Sequence, residues 1–163
     1  MSTTQTINAI LDAIETTLAA NDALKALLGN SGSSIHQYTS NQERLLRAMM
    51  ANPQASSPAL WINYDREDWI NNGLIHVRKV RLYIDVVIFD PTGLAARQNS
   101  AYPIIDKVYD VLNDSQLGLT SPLIDLLQPM SDRYMFDVAD ETGTPLEIST
   151  WRVEFQTSVE WQA

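Results

Sequence analysis

Asp137, Asp140 and Glu141 stand close together, Asp85 and Asp90 lie on one apolar stretch, and His36 and His76 stand alone. These are the residues whose types could hold a cation or move a proton. Calcium loops set their oxygens in a D-x-[DN]-x-[DN]-G rhythm. Residues 137–141 lack that rhythm and read as a solvated turn. Acid–base pairs need two carboxyls held in settings that separate their pKa values. Nothing in the spacing opposes Asp85 to Asp90, so Asp85 reads as an edge or interface charge and Asp90 as a turn residue. His36 falls in a loop and His76 near a hairpin tip, each without a matching motif. No G-x-S-x-G, G-x-G-x-x-G, Walker A or H-E-x-x-H pattern occurs. There is no cysteine to serve as nucleophile or thiolate ligand. The reading is a protein with no catalytic residue, no metal site and no cofactor, and not an enzyme.

The chain has 163 residues, the length of one domain, and 1–163 is read as a single domain. Eleven Lys and Arg against 20 Asp and Glu give a formal charge of −9. Phosphate contacts supply most non-specific nucleic-acid affinity, so a chain this acidic is a poor general DNA binder. It can still be a protein that DNA passes without sticking. The absence of cysteine suits folding in a reducing cytoplasm. The opening MSTTQTINAILDAIETTLAAND has no basic leader and reads as an amphipathic helix rather than a signal peptide. No apolar run approaches the roughly 20 residues of a membrane span.

Ile7, Ile10, Leu11, Ile14 and Leu18 recur at steps of three and four, predicting a helix from about Thr4 to Ala20. Asn21 is a suitable N-cap for a short helix carrying Leu24, Leu27 and Leu28, ended by Gly29. Ser40-Asn-Gln-Glu43 matches a capping box opening a helix through Met50. Leu94, Gln98, Ala101, Ile105, Val108 and Leu112 form another helical stripe. Pro103 within it implies either a kink or a new helix whose first turn holds the proline.

Ala59–Asp65 reads as a strand. Asn72-Gly73 read as a two-residue hairpin turn would set Ile70 against Ile75 and Glu67 against Arg78. The next strand, Leu74 to Phe89, changes apolar parity near Arg78-Lys79, from Ile75 and Val77 to Val80, Leu82, Ile84, Val86 and Ile88. Either a β-bulge lies there, or the first part packs against a different body. Both readings make the tip a projecting arm. In STWRVEFQTSVEW, residues 149–161, Trp151, Val153, Phe155, Val159 and Trp161 alternate with Arg152, Glu154, Gln156, Ser158 and Glu160. That is a half-buried antiparallel strand of roughly 40 Å, long enough to cross a small domain or reach a neighbour. The predicted fold is α+β: a mostly antiparallel sheet with long strands and a hairpin arm, and helices packed on one face.

Trp61 and Trp151 read as core. Trp69 and Trp161, near a tip and a terminus, are interface candidates, as are Arg78, Lys79 and Arg81 beside the parity change. Glu154 and Glu160, on the polar parity of the last strand, are candidates for a channel wall. Arg152, on the same parity, is predicted to pair with a neighbouring carboxylate.

A helical start, a long strand ending in VVIFDPTG, a helix through AYPIIDKVYDVLND and a closing WRVEFQTSVEW resemble the tail terminator (tail completion) proteins of long-tailed bacteriophages, particularly the Mu-like family. The resemblance covers most of the chain. It implies a virion structural protein that forms a hexameric ring on the tail tube, ends tail elongation and makes the joint to the head or neck. The implied partners are further copies of the chain, the tail tube protein, a head–tail connector or neck protein, and the sheath protein in a contractile tail. Genome DNA would pass through the channel without specific binding. The implied location is the neck end of the virion tail, after assembly in the host bacterial cytoplasm. Another head–tail connector, a tube component and a small-molecule enzyme are the alternatives.

Overall fold

The alternation of residues 149–161 is realised as the last and longest strand of a sheet. The computed structural model describes residues 3–29, 34–37, 51–52, 57–71, 76–115, 117, 119, 127–130, 134–139 and 142–161. The capping box at 40–43, the Asn72-Gly73 turn, Asp140 and Glu141 lie outside them. In chain order the described elements are α1 (Thr3–Ala19), α2 (Asp22–Leu27), β1 (Ile35–Gln37), β2 (Ala59–Asn71), β3 (His76–Phe89), α3 (Leu94–Leu112), β4 (Gln128–Pro129), β5 (Tyr134–Ala139) and β6 (Pro145–Trp161). The strands form one sheet in the order β1-β2-β3-β6-β4, with β5 also on β6. Among the described strands only β1 and β2 run parallel. The fold is α+β, with a mostly antiparallel sheet and the helices α1, α2 and α3 packed against one face of it. Among the described residues no helix is long and apolar enough to cross a membrane.

The helix-side face is built by alternation. Val80, Leu82, Ile84, Val86 and Ile88 of β3 and Trp151, Val153, Phe155 and Val159 of β6 are all buried, together with Leu60 and Ile62 of β2. β3 and β6 pair without a shift from His76–Trp161 to Phe89–Ile148. The bulge expected near Arg78-Lys79 is therefore not in β3. It lies in the neighbouring strand, where the register shifts between Tyr64 and Arg66 and leaves Asp65 as the extra residue. Arg78 keeps the parity of Val80 and is itself buried, so the core face continues through an arginine, which imitates a parity change in the sequence. The hairpin register also differs from expectation. Asn71 faces His76 across a connection of residues 72–75, Ile70 faces Val77 and Glu67 faces Val80. Glu67 still reaches Arg78, because diagonal neighbours on a sheet lie within reach of long side chains.

The helices supply the other half of the core. Ile10, Leu11, Ile14 and Leu18 of α1 are buried, as are Leu24 of α2, Leu28 after it, and Ala101, Ile104, Ile105, Val108 and Leu112 of α3. Leu94, placed by periodicity on the α3 stripe, is exposed instead, and Ile104 takes part in the core. The Asn21 side chain accepts the Leu24 N–H at 2.9 Å, which caps α2, and Gly29 follows it with a φ of 80°. Aromatic contacts tie α3 to β6: Tyr109 lies 5.7 Å from Phe155 with the rings tilted, and Tyr102 6.4 Å from Trp151 edge to face, between ring centroids.

α3 runs through Pro103 rather than starting anew there. Proline has no N–H, so the Asn99 carbonyl one turn earlier loses its helical donor. Because Pro103 is exposed, its removal opens no cavity. An interior proline costs about 3 kcal/mol against alanine, while its stiffening of the unfolded chain returns about 0.4–1 kcal/mol. Pro103→Ala is therefore expected to raise stability by roughly 2 kcal/mol in urea unfolding. A loss of stability would contradict this account of the helix.

Candidate interaction surface

The face of the sheet turned away from the helices divides into two parts. Near its middle Arg152 and Asp85 are cross-strand partners. Arg152 Nε donates to Asp85 Oδ1 and Nη2 to Oδ2, both at 2.8 Å. Asp85 is 1% exposed, so it is a buried charge in a central strand and not the edge charge its sequence context suggested. The predicted pairing of Arg152 with a carboxylate is met within the chain. The guanidinium lies 3.6 Å from the centroid of the Tyr83 ring, and the Asn63 amide donates to the Tyr83 hydroxyl. Burial pushes the Tyr83 phenol above its usual value of 10.0, partly countered by the charge of Arg152. Below this group Ala59, Trp61, Val87 and Ile148 form a second, smaller apolar cluster, with Phe89, Val138 and Leu146 against it.

The other part is the end of the hairpin beyond the bulge. Trp69 is 51% exposed and Ile70 38%. They stand on opposite faces, since Trp69 faces the buried Arg78 in the ladder and Ile70 faces Val77. Arg78 Nη1 meets Glu67 Oε2 at 3.1 Å and its guanidinium lies 5.1 Å from the Trp69 ring centroid. Trp69 and Arg78 are thus brought together, with the arginine enclosed within its own chain. Lys79 and Arg81 are half-buried on the other face. Arg81 Nε is 3.7 Å from Asp68 Oδ2, and Arg66 stands directly opposite Arg81. Glu154 is half-buried on this face, opposite Tyr83. Residues 160 and 161 face Val77 and His76 in the ladder, and their side chains lie outside the described residues.

The residues first considered for chemistry are dispersed. Asp90 accepts the Thr92 N–H at 2.8 Å and closes the turn before α3. Hydrogen bonds from Thr92 hold its carboxyl below 3.8, in the ionised form. It lines a cleft of about 330 Å³ with Ser57, Pro58, Ile88, Phe89, Pro91 and Ser100, apart from Asp85 and from both histidines. Asp137 is not in a turn: it belongs to β5 and accepts the Ser149 hydroxyl at 2.6 Å. Ser149 in turn accepts Arg97 Nε at 2.7 Å, while Arg97 Nη1 reaches the Asp90 carbonyl. This polar link from α3 to β5 and β6 had no local signal in the sequence. Among the described residues no three His, Asp or Glu are grouped to hold a metal ion.

Over 93% of its length the chain is similar to a chain in a structure titled "Virion of native gene transfer agent (GTA) particle". The TM-score is 0.60, the sequence identity 17%, and 94% of that chain is covered. At this identity the likeness is one of fold. No family model matches the chain, and no curated protein does.

Two outcomes follow from the geometry. Removing one member of a buried ion pair leaves the other charge uncompensated, at a cost of about 3–5 kcal/mol, whereas replacing both by apolar residues of similar size is often neutral. Arg152→Met alone, which strands the buried Asp85 charge, should destabilise the fold strongly; Asp85→Leu should cost less, because the half-buried Arg152 still reaches water; and the double substitution should recover most of the Arg152→Met loss in urea unfolding. A double variant as unstable as the two losses added would contradict the pairing. His36, half-buried and 5.8 Å from the Trp61 ring centroid, has its imidazole pushed below 6.5 by burial, against the opposing pull of Glu15. As pH falls below 6.5 the unfolded chain takes up this proton before the folded one, so stability declines there. His36→Gln should flatten that decline in thermal melts. An unchanged pH profile would remove His36 as its source.

Proposed function

We propose that this protein is a structural component of a phage-like virion, and within it the ring subunit that caps the tail tube, ends tail elongation and forms the joint to the head or neck. The observation that carries the reading is the fold shared over 93% of the chain with a component of a gene transfer agent virion. The geometry supports it. A closed ring requires each copy to present two different, complementary surfaces, and the hairpin end and the helix layer are two such surfaces.

On this reading the chain acts as one tail-terminator-like domain and is not an enzyme. Its partners are further copies in a hexamer, the tail tube protein, a connector or neck protein, and a sheath protein where the tail is contractile. It resides at the neck end of the tail and assembles in the host cytoplasm. Trp69, Lys79, Arg81 and Trp161 belong to contacts between chains, with Arg78 bracing the hairpin from inside. Glu154 faces the channel, and Glu160 lies toward the arm, where channel and neighbour meet. Beside Glu154 the outer face of β6 carries Arg152, already paired with Asp85, and the uncharged Gln156. Such a wall offers passing DNA no continuous run of cations to leave again.

A tube component of related architecture is the second reading, and stoichiometry separates the two. Added to polymerising tube protein of the same particle, the chain should shorten the tubes and block further growth at one end, at about one ring per tube. Incorporation along the tube, with length unchanged or increased, would overturn the terminator reading.

A further inference from the structure

The hairpin end differs in charge from the rest of the molecule. Residues 63–81 carry four basic and three acidic side chains, a net +1, so the remainder of the chain carries −10. On the outer face of this segment Arg66 and Arg81 are directly opposite each other in the ladder, with Lys79 the next residue of that face along β3. Like charges placed opposite on a sheet destabilise it. Asp68 answers Arg81 only at 3.7 Å, and Arg66 and Lys79 make no ion pair with a described residue. Ile70, 38% exposed, lies on the same face nearer the tip. The patch is a small basic group beside an apolar residue on an otherwise acidic molecule.

The same chain carries a surface of the opposite character. The outward stripe of α3 exposes Asn99, Tyr102, Asp106 and Asp110, and Asp114 follows just past its end. Tyr102 is 46% exposed. Lys107 answers Asp110 at 3.3 Å, while Asp106 and Asp114 make no ion pair with a described residue. Carboxylates thus follow an exposed aromatic ring along one helix, as the cations follow Ile70 along the hairpin.

We infer that the hairpin end of one copy docks on the α3 stripe of the next, with Arg66 and Lys79 against Asp106 and Asp110 and Ile70 toward Tyr102. This rests on the ring reading above and names its contact. Where each copy offers its hairpin end to one neighbour and its α3 stripe to another, the contact is head-to-tail and propagates around a ring; a reciprocal two-fold dimer would join the same two surfaces but stop at two copies. Duplex DNA fits the patch less well, because a net +1 segment on a −9 chain supplies few of the phosphate contacts that retention needs.

The chain has no cysteine, so introduced thiols report without background. Lys79→Cys combined with Asp110→Cys in one chain, treated with a short bis-maleimide, should give a ladder of covalent oligomers. Each single variant should give dimers at most. Separately, Arg66→Glu with Lys79→Glu, and Asp106→Lys with Asp110→Lys, should each weaken self-association at least about tenfold while leaving the thermal melt of the folded chain in place. Mixed, the two variants restore complementary contacts on both sides of every copy. Native mass spectrometry should then show assemblies with even numbers of subunits. Rings that form normally from both variants, with no ladder, would overturn this contact and leave the ring reading standing. A chain that shows no ladder up to about 1 mM, or whose basic patch retains duplex DNA and not a second copy, would overturn the contact also, with tube capping tested on its own.

Discussion

The unshifted ladder between β3 and β6 is the constraint on which the rest of the molecule depends. Side chains alternate along a strand, so a slip of one residue exchanges the faces of an entire strand. Here such a slip in β6 would turn Arg152 and Glu154 toward the helices and expel Val153 and Phe155. It would also separate Asp85 from Arg152, whose two 2.8 Å hydrogen bonds require the strands to stand in this register. A buried ion pair adds little net stability, yet breaking it is costly. The apolar face and the ion pair therefore enforce the same alignment from opposite sides of the sheet.

With that alignment held, the bulge at Asp65 can sit in β2 without disturbing the central pair. It exchanges the faces of the outer half of β2, which is why Tyr64 and Glu67 lie on the helix-side face while Arg66 and Asp68 lie on the other. The hairpin end consequently has an inner side braced by Glu67, Arg78 and Trp69 and an outer side bearing Arg66, Lys79 and Arg81. A braced inner side and a charged outer face fit the proposed docking of this segment on a neighbouring copy.

Features set by neighbours in sequence were legible there. The apolar stripe of α1, the Asn21 cap, Gly29 and the two faces of β6 all follow from residues a few positions apart. Features set by distant residues were not. Asp85 looks like an edge charge in sequence because Arg152 is 67 residues away. Asp137 looks like part of a turn because Ser149 and Arg97 come from β6 and α3. The sequence pattern leaves a bulge or a second packing partner open near Arg78-Lys79, and the register shift lies in β2 instead, because Arg78, buried against Glu67, breaks the apolar pattern without breaking the parity. For the candidate surface, residue types identify the hairpin end, but the Arg66–Arg81 opposition emerges only once the bulge is located. The exposure of Tyr102 on α3 also needs the fold.

The central claim is that this chain sits once per tail, as a ring at the head-proximal end of the tube. Electron cryo-microscopy of intact particles that contain the protein tests it most directly. The account predicts one closed ring of this fold between the last tube ring and the neck. The same fold repeated along the tube, or found on the capsid, would contradict it.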